Sequence, residues 1–342
     1  MSNINVPIFI FMTQKMLPQT IIDIQTRFLN EGKVDWQEAA YILFEYQSEH
    51  NAVYKEYLRL LKYVNKYPEI KDIPHLPITF FKNHQIVTGD WKEELVFYSS
   101  FTTGKGRSAH LIRDTSWYDE ISKKIFETRF GPLKGKLVLA MLPGYLERGD
   151  SSLVHMVNHF MKVSGHPANG FFLDQFDSLR SIMDMHDEII LFGVPFALLS
   201  FIEKAAENSY PGLTIIETGG MKGKGKELPR QELHDKLRSA MNPKAIYSEY
   251  GMTELLSQSY TDVSGMFTES PTFHISVKEL NDPFHVQKIG KPGTLNVIDL
   301  ANIHTCCFIE TEDMAVDHGD GHFEILGRID NREIRGCNLL AI

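Results

Sequence analysis

Between Phe97 and His110 the chain reads FYSSFTTGKGRSAH, with hydroxyls at Ser99, Ser100, Thr102 and Thr103, glycines at Gly104 and Gly106, and cations at Lys105 and Arg107. Hydroxyls and the amides of a glycine loop converge well on phosphate oxygens, and glycine lets the backbone approach closely. Lysine and arginine supply the opposing charge. The pattern is not a Walker A loop: Ser99 stands where that motif has its first glycine, and Gly106 rather than a hydroxyl residue follows Lys105. Taken alone, the segment also fits a solvated turn between a strand and a helix.

Further clusters lie downstream. IIETGGMKGKG sets Gly219 and Gly220 just after a buried apolar run. YSEYGMTE closes another such run with Tyr250, Gly251, Thr253 and Glu254. ETEDMAV and GRIDNREIRG contribute Asp313, Arg328 and Asp330. Cys337 follows in IRGCNLLAI; its thiolate is a nucleophile, and Arg332 and Arg335 nearby would lower a thiol value that is ordinarily about 8.5. The same cysteine also suits a small buried site. His155 and His159 are spaced i, i+4, but Met156 occupies the glutamate place of H-E-x-x-H, so a core or substrate-pocket role fits better than a metal. Cys306 and Cys307 sit in a strand pattern and read as core.

Something must hold these residues. Residues 1–75 read as a helical segment, with Asp35 as an N-cap and Ala39, Ile42, Leu43 and Tyr46 at helical spacing. From 76 to 270 apolar runs (ELVFYSS, KLVLAML, IILFG, LTIIETGG, KAIYSEYG) alternate with amphipathic stretches such as RQELHDKLRSAM. That alternation predicts an α/β core with a mostly parallel sheet. From 271 to 342 FHISVKEL, GTLNVIDL, TCCFIETEDMAV and GHFEILGRID, with HGDG between the last two, predict a smaller antiparallel β sub-domain and a tail.

Bulk properties narrow the classes. The 342 residues carry a net charge of −9, which argues against non-specific nucleic-acid binding. The apolar run Val6–Met12 is too short to span a bilayer, and no later run reaches spanning length. Three cysteines without a disulfide or zinc pattern fit a reducing, cytoplasmic compartment.

The order of motifs resembles the adenylate-forming superfamily: a Ser/Thr-Gly loop, Gly-Gly, Tyr-Gly-x-Thr-Glu, a strand-end Asp313, then Gly327-Arg328-Ile329-Asp330. Within it the chain is most similar to the acyl-protein synthetases of bacterial luminescence fatty-acid reductase complexes. The resemblance implies an N-terminal-body-like α/β fold and ATP-dependent activation of a carboxylic, fatty, acid to acyl-AMP. It further implies thioester formation on Cys337 and delivery to an acceptor protein such as a reductase. Thr102, Thr103, Gly104 and Lys105 would hold the outer phosphates, with Ser100 beside them, and Thr253 the α-phosphate. Glu254 would bind Mg²⁺. Gly219, Gly220 and Tyr250 would flank the adenine, Gly251 would belong to the nucleotide site, Asp313 would accept both ribose hydroxyls, and Arg328 would reach the ribose or phosphates. The MLPGY turn would help line the acyl pocket.

The sequence departs from the superfamily in two places. Glu312 replaces the usual glycine before Asp313. The chain as given ends at Ile342, so the expectation is a body without the mobile C-terminal domain and its catalytic lysine; either Lys105 or another lysine, such as Lys222, Lys224 or Lys226 of a loop that also reads as solvated, substitutes, or catalysis relies on the N-terminal body alone. Two other readings remain open at this point: an aryl- or acyl-CoA ligase resembling phenylacetate–CoA ligase, and a non-catalytic nucleotide- or acyl-binding subunit.

Overall fold

The computed structural model describes residues 17–30, 35–64, 68–100, 106–143, 150–204, 208–219 and 228–328. Thr102, Thr103, Gly104, Lys105, Gly220 and Cys337 lie outside these residues, as do Val6–Met12, the later part of MLPGY, Lys222, Lys224, Lys226, Asp330, Arg332 and Arg335.

Three helices open the described chain: α1 (Gln19–Asn30), α2 (Trp36–His50) and α3 (Ala52–Leu60). Asp35 caps α2 by accepting from the Gln37 and Glu38 amides. Asn51 ends α2 and starts α3, its side-chain oxygen taking the Val53 and Tyr54 amides; such caps satisfy donors that a helix start leaves bare. There follow β1 (Leu76–Pro77), α4 (Phe80–Asn83) and the hairpin β2 (Leu95–Tyr98) and β3 (Ala109–Ile112).

Alternation then sets in: α5 (Thr115–Phe130), β4 (Leu137–Met141), α6 (Ser152–Ser164), β5 (Gly170–Phe171), α7 (Phe176–Met183), β6 (Ile189–Gly193), α8 (Pro195–Lys204), β7 (Leu213–Thr218), α9 (Arg230–Met241) and β8 (Ala245–Tyr250). Every residue of β4 and β6 is buried, the mark of strands covered by helices on both faces. Beyond β8 come the strands β9 (Ser259–Thr261), β10 (Phe267–Thr268), β11 (Phe273–Glu279), β12 (Asp282–Val286), β13 (Pro292–Asp299), β14 (Phe308–Gly319) and β15 (His322–Arg328).

Both strand sets belong to one sheet in the order β12-β11-β13-β14-β15-β10-β9-β8-β7-β6-β4-β5, with β1 pairing parallel to β14. The strands from β5 to β8 are mutually parallel; from β8 to β12 each neighbour is antiparallel. β2 and β3 form a separate two-stranded sheet, so the Ser/Thr-Gly loop joins two strands rather than a strand and a helix. The short β3 ends before α5 begins, and its four residues were too few to register as a strand beside so polar a loop. The outer edge strand β12 is exposed throughout, and Pro283 there denies a neighbour one backbone donor. Among the described residues, no helix is long and apolar enough to cross a membrane.

Candidate active site

The carboxyl ends of parallel strands, where a sheet changes direction, are where open α/β folds place their ligands. Here β7 and β8 run parallel with Thr218 opposite Glu249, so Gly219 and Tyr250 leave the sheet side by side. Gly219 has a left-handed backbone, φ 73°. The next pair in the sheet, β8 and β9, is antiparallel, with Tyr250 opposite Ser259. Residues 251–258 therefore form a loop standing at the reversal point.

Side chains from other segments hold that loop. The Thr253 carbonyl is 2.7 Å from His110 Nδ1 on β3. The Glu254 carbonyl accepts from Asn302 Nδ2 at 2.8 Å. Asp299 Oδ2 accepts the Leu256 and Ser257 amides at 2.7 and 3.0 Å, while its Oδ1 takes the Ser257 hydroxyl and the Ala301 amide. A Cβ on Gly251 would sit 2.5 Å from Glu249 Oε1, so a side chain there would require the Glu249 carboxylate to shift. Glu249 in turn accepts from the Thr218 hydroxyl.

The Glu254 carboxyl is buried, and desolvation pushes its pKa up, against the pull of the Ser108 hydroxyl and its own backbone N–H. A buried acid so disposed gains from a nearby cation. Thr253 is half-buried.

On the far side of β8 the Tyr250 hydroxyl donates to Asp313 Oδ2 at 2.8 Å, although the two are 63 residues apart in the chain. Asp313 lies within β14, directly across the ladder from Arg328 on β15, and Arg328 Nε is 3.7 Å from Asp313 Oδ1. Asp313 is buried and Arg328 exposed. Burial raises the Asp313 pKa; the Tyr250 hydroxyl and the Arg328 guanidinium counter it. The Tyr250 hydroxyl is itself pushed well up by burial and by Asp313. Its ring is seated edge-on to Phe267 and Phe273.

The hairpin bearing the hydroxyl-rich loop is closed tightly at its base. Ser99 N donates to the Ser108 carbonyl, and Ser108 N donates to the Ser99 hydroxyl. Arg107, expected to offer charge to a phosphate, donates to the Ser99 carbonyl at 2.6 Å and pairs with Asp150 at 2.9 Å. Ser100 is exposed at the open end of the hairpin.

His155 and His159 bracket one carboxylate, Asp119, at 2.8 and 3.3 Å. No group of three or more potential metal-binding side chains gathers among the described residues. Cys306 and Cys307 are free and fully buried, and burial raises both thiols, Cys306 to about 12. They are core residues, as their strand-like surroundings suggested.

His110, Asp299, Asn302 and Thr305 escaped the sequence reading. One local signal existed for His110: a polar residue at the inward position of Ala109–Ile112. The ring is fully buried and burial lowers its pKa to about 4.

No family model matches the sequence, and no curated protein matches it. Solved structures do. The ATP-bound structure of MatB from Rhodopseudomonas palustris aligns over 70% of this chain and 49% of that one, with a TM-score of 0.53 and 16% identity. A 2-hydroxyisobutyryl-CoA ligase in complex with 2-HIB-AMP and CoA aligns over 91% of this chain and 69% of its own, with a TM-score of 0.66 and 15% identity. The chain thus spans about half the length of MatB. Across most of its length it has the fold of adenylate-forming enzymes.

Proposed function

We propose that this protein uses ATP to activate a carboxylic acid, with a fatty acid as the favoured class, and passes the acyl group through Cys337 to an acceptor protein. The observation that carries the reading is the convergence, at one reversal point of the sheet, of the Tyr250–Asp313–Arg328 cluster with the Gly251–Glu254 loop. The likeness of fold to an ATP-bound enzyme and to a ligase holding an acyl adenylate supports it.

In the first step a carboxylate oxygen of the acid attacks the α-phosphorus of ATP. The bond to the bridging oxygen breaks, pyrophosphate leaves, and acyl-AMP remains. Asp313 accepts the two ribose hydroxyls, Arg328 faces the ribose and phosphates, and Tyr250 with Gly219 and Gly220 forms the adenine wall. The Thr253 hydroxyl donates to the α-phosphate, where charge accumulates in the transition state. Ser100, Thr102, Thr103, Gly104 and Lys105 hold the outer phosphates, with Lys105 as the cation. The buried, desolvated Glu254 suits magnesium, a hard cation that binds one or two carboxylates together with substrate phosphates. When bound it supplies charge neutralisation at the phosphates. In the second step the Cys337 thiolate attacks the acyl carbon, AMP leaves, and a protein thioester forms for transfer to the acceptor.

Carboxylate-dependent exchange of labelled pyrophosphate into ATP tests the first step; no exchange across fatty and aryl acids rejects it. Intact-protein mass spectrometry after incubation with ATP, Mg²⁺ and mixed fatty acids tests the second. An acyl adduct lost in Cys337→Ser, with exchange retained, is the expected result. Acyl transfer to added coenzyme A with no protein adduct would move the acceptor from Cys337.

A further inference from the structure

We propose that His110 is a positioning residue that sets the Thr253–Glu254 loop against the β2–β3 hairpin; this rests on the acyl-adenylate reading above. The ring is fully enclosed and both nitrogens are engaged. A backbone carbonyl only accepts, so Nδ1, facing the Thr253 oxygen at 2.7 Å, carries the proton. Nε2, 3.1 Å from the Thr305 hydroxyl, then accepts. One neutral tautomer satisfies both contacts, and their directions fix the ring plane.

The brace continues behind the ring. The Thr305 carbonyl accepts from the Thr88 hydroxyl and from Asn51 Nδ2, and Asn51 is the residue that caps α3. A buried polar chain therefore runs from the N-terminal helices through Asn51, Thr305 and His110 to Thr253. Asp299, at the end of β13, and Asn302, in the connection after it, tie the same loop to that strand. His110 ties it to the hairpin, where it stands opposite Phe97, two residues before Ser99. The hairpin carries the hydroxyl-rich loop, and the 251–258 loop carries Thr253 and Glu254. Their relative placement is what an in-line attack on the α-phosphorus needs, and a displacement of about 1 Å costs about 100-fold in rate.

The test compares His110→Asn with His110→Leu in pyrophosphate exchange, alongside melting temperature. Asparagine and leucine are close in size, and both lose the Thr305 contact, so a merely structural role lowers stability in both and leaves their turnover alike. Asparagine keeps an amide donor near the Nδ1 position. The expected result is exchange kcat within about tenfold of the parent for His110→Asn and about 100-fold lower for His110→Leu, with KM for ATP changed by less than about threefold in either. Equal kcat in the two variants overturns the proposal. If His110→Leu does not fold, His110→Gln replaces it, because its amide reaches towards Nε2 and not Nδ1; retained exchange there is equally fatal. Should the parent protein show no exchange with any acid, the acyl-adenylate reading fails separately. The positioning role is then decided by the crystal structure of His110→Gln: a Thr253 carbonyl moved by about 1 Å supports it, and an unmoved one overturns it.

Discussion

In the proposed ribose role Asp313 acts as a carboxylate while nearly sealed from solvent, and among the described residues Tyr250 and Arg328 counter the cost of burial. Asp313→Asn keeps the shape and removes the charge. Hydrogen bonds to charged groups contribute about 1.5–3 kcal/mol, so KM for ATP is expected to rise by about 10- to 100-fold with little change in melting temperature. Steady-state exchange kinetics over an ATP series check this. The cysteines divide by accessibility: Cys306 and Cys307 are protonated and enclosed, so iodoacetamide should leave both unlabelled until denaturant is added, as peptide mapping would read. Tyr250, Thr253, Glu254, Asp313 and Arg328 could be named from the sequence as candidates because each lies in a short motif that resembles the adenylate-forming pattern. His110 could not, because its partners lie 143 and 195 residues away and no local pattern records such a meeting.

At the level of elements, the irregular loop after β8 depends on one buried carboxylate. Asp299 is fully enclosed, burial raises its pKa, and four donors hold it. Asp299→Ala strands the Leu256, Ser257 and Ala301 amides without that acceptor and should cost at least about 3 kcal/mol in urea unfolding. Asn51→Ala removes a helix cap and a buried bond to the Thr305 carbonyl, for an expected loss of about 2 kcal/mol by the same measurement. The long elements were visible in advance: α9 runs over Arg230–Met241 as its periodicity predicts, and β4 and β6 are the uninterrupted apolar runs. The β2–β3 hairpin was not. Strand pairing across a polar loop is decided by register, here Phe97 with His110, and four residues of β3 hold too little alternation to announce it.

Across the whole molecule, the continuity of the parallel and antiparallel strands in one sheet was the least legible feature, because composition changes near residue 270 while the hydrogen-bonded ladder does not. Burial also gives the fold a dependence on acidity. His75 and His304 are buried, and desolvation lowers their values to about 3 and about 4. Both lie below the unfolded value of about 6.5, so each is neutral in the fold and takes its proton when the chain opens. The stability they hold is complete above about pH 6.5 and falls, by up to about 1.4 kcal/mol per pH unit for each, as pH drops towards 4. Asp299 and Asp313, with raised values, work in the opposite sense. His304→Asn should flatten the slope of urea-unfolding free energy between pH 6.5 and about 4.5 by close to one proton; an unchanged slope removes His304 from the account. The β14–β15 ladder has a different consequence. Asp313 and Arg328 face each other because the turn through Asp320 and Gly321, together with the two register irregularities between it and this pair, has the length it has. Gaining or losing one residue there would swing the arginine to the opposite surface of the ribbon. Natural variation in length should therefore collect in other connections and spare this one.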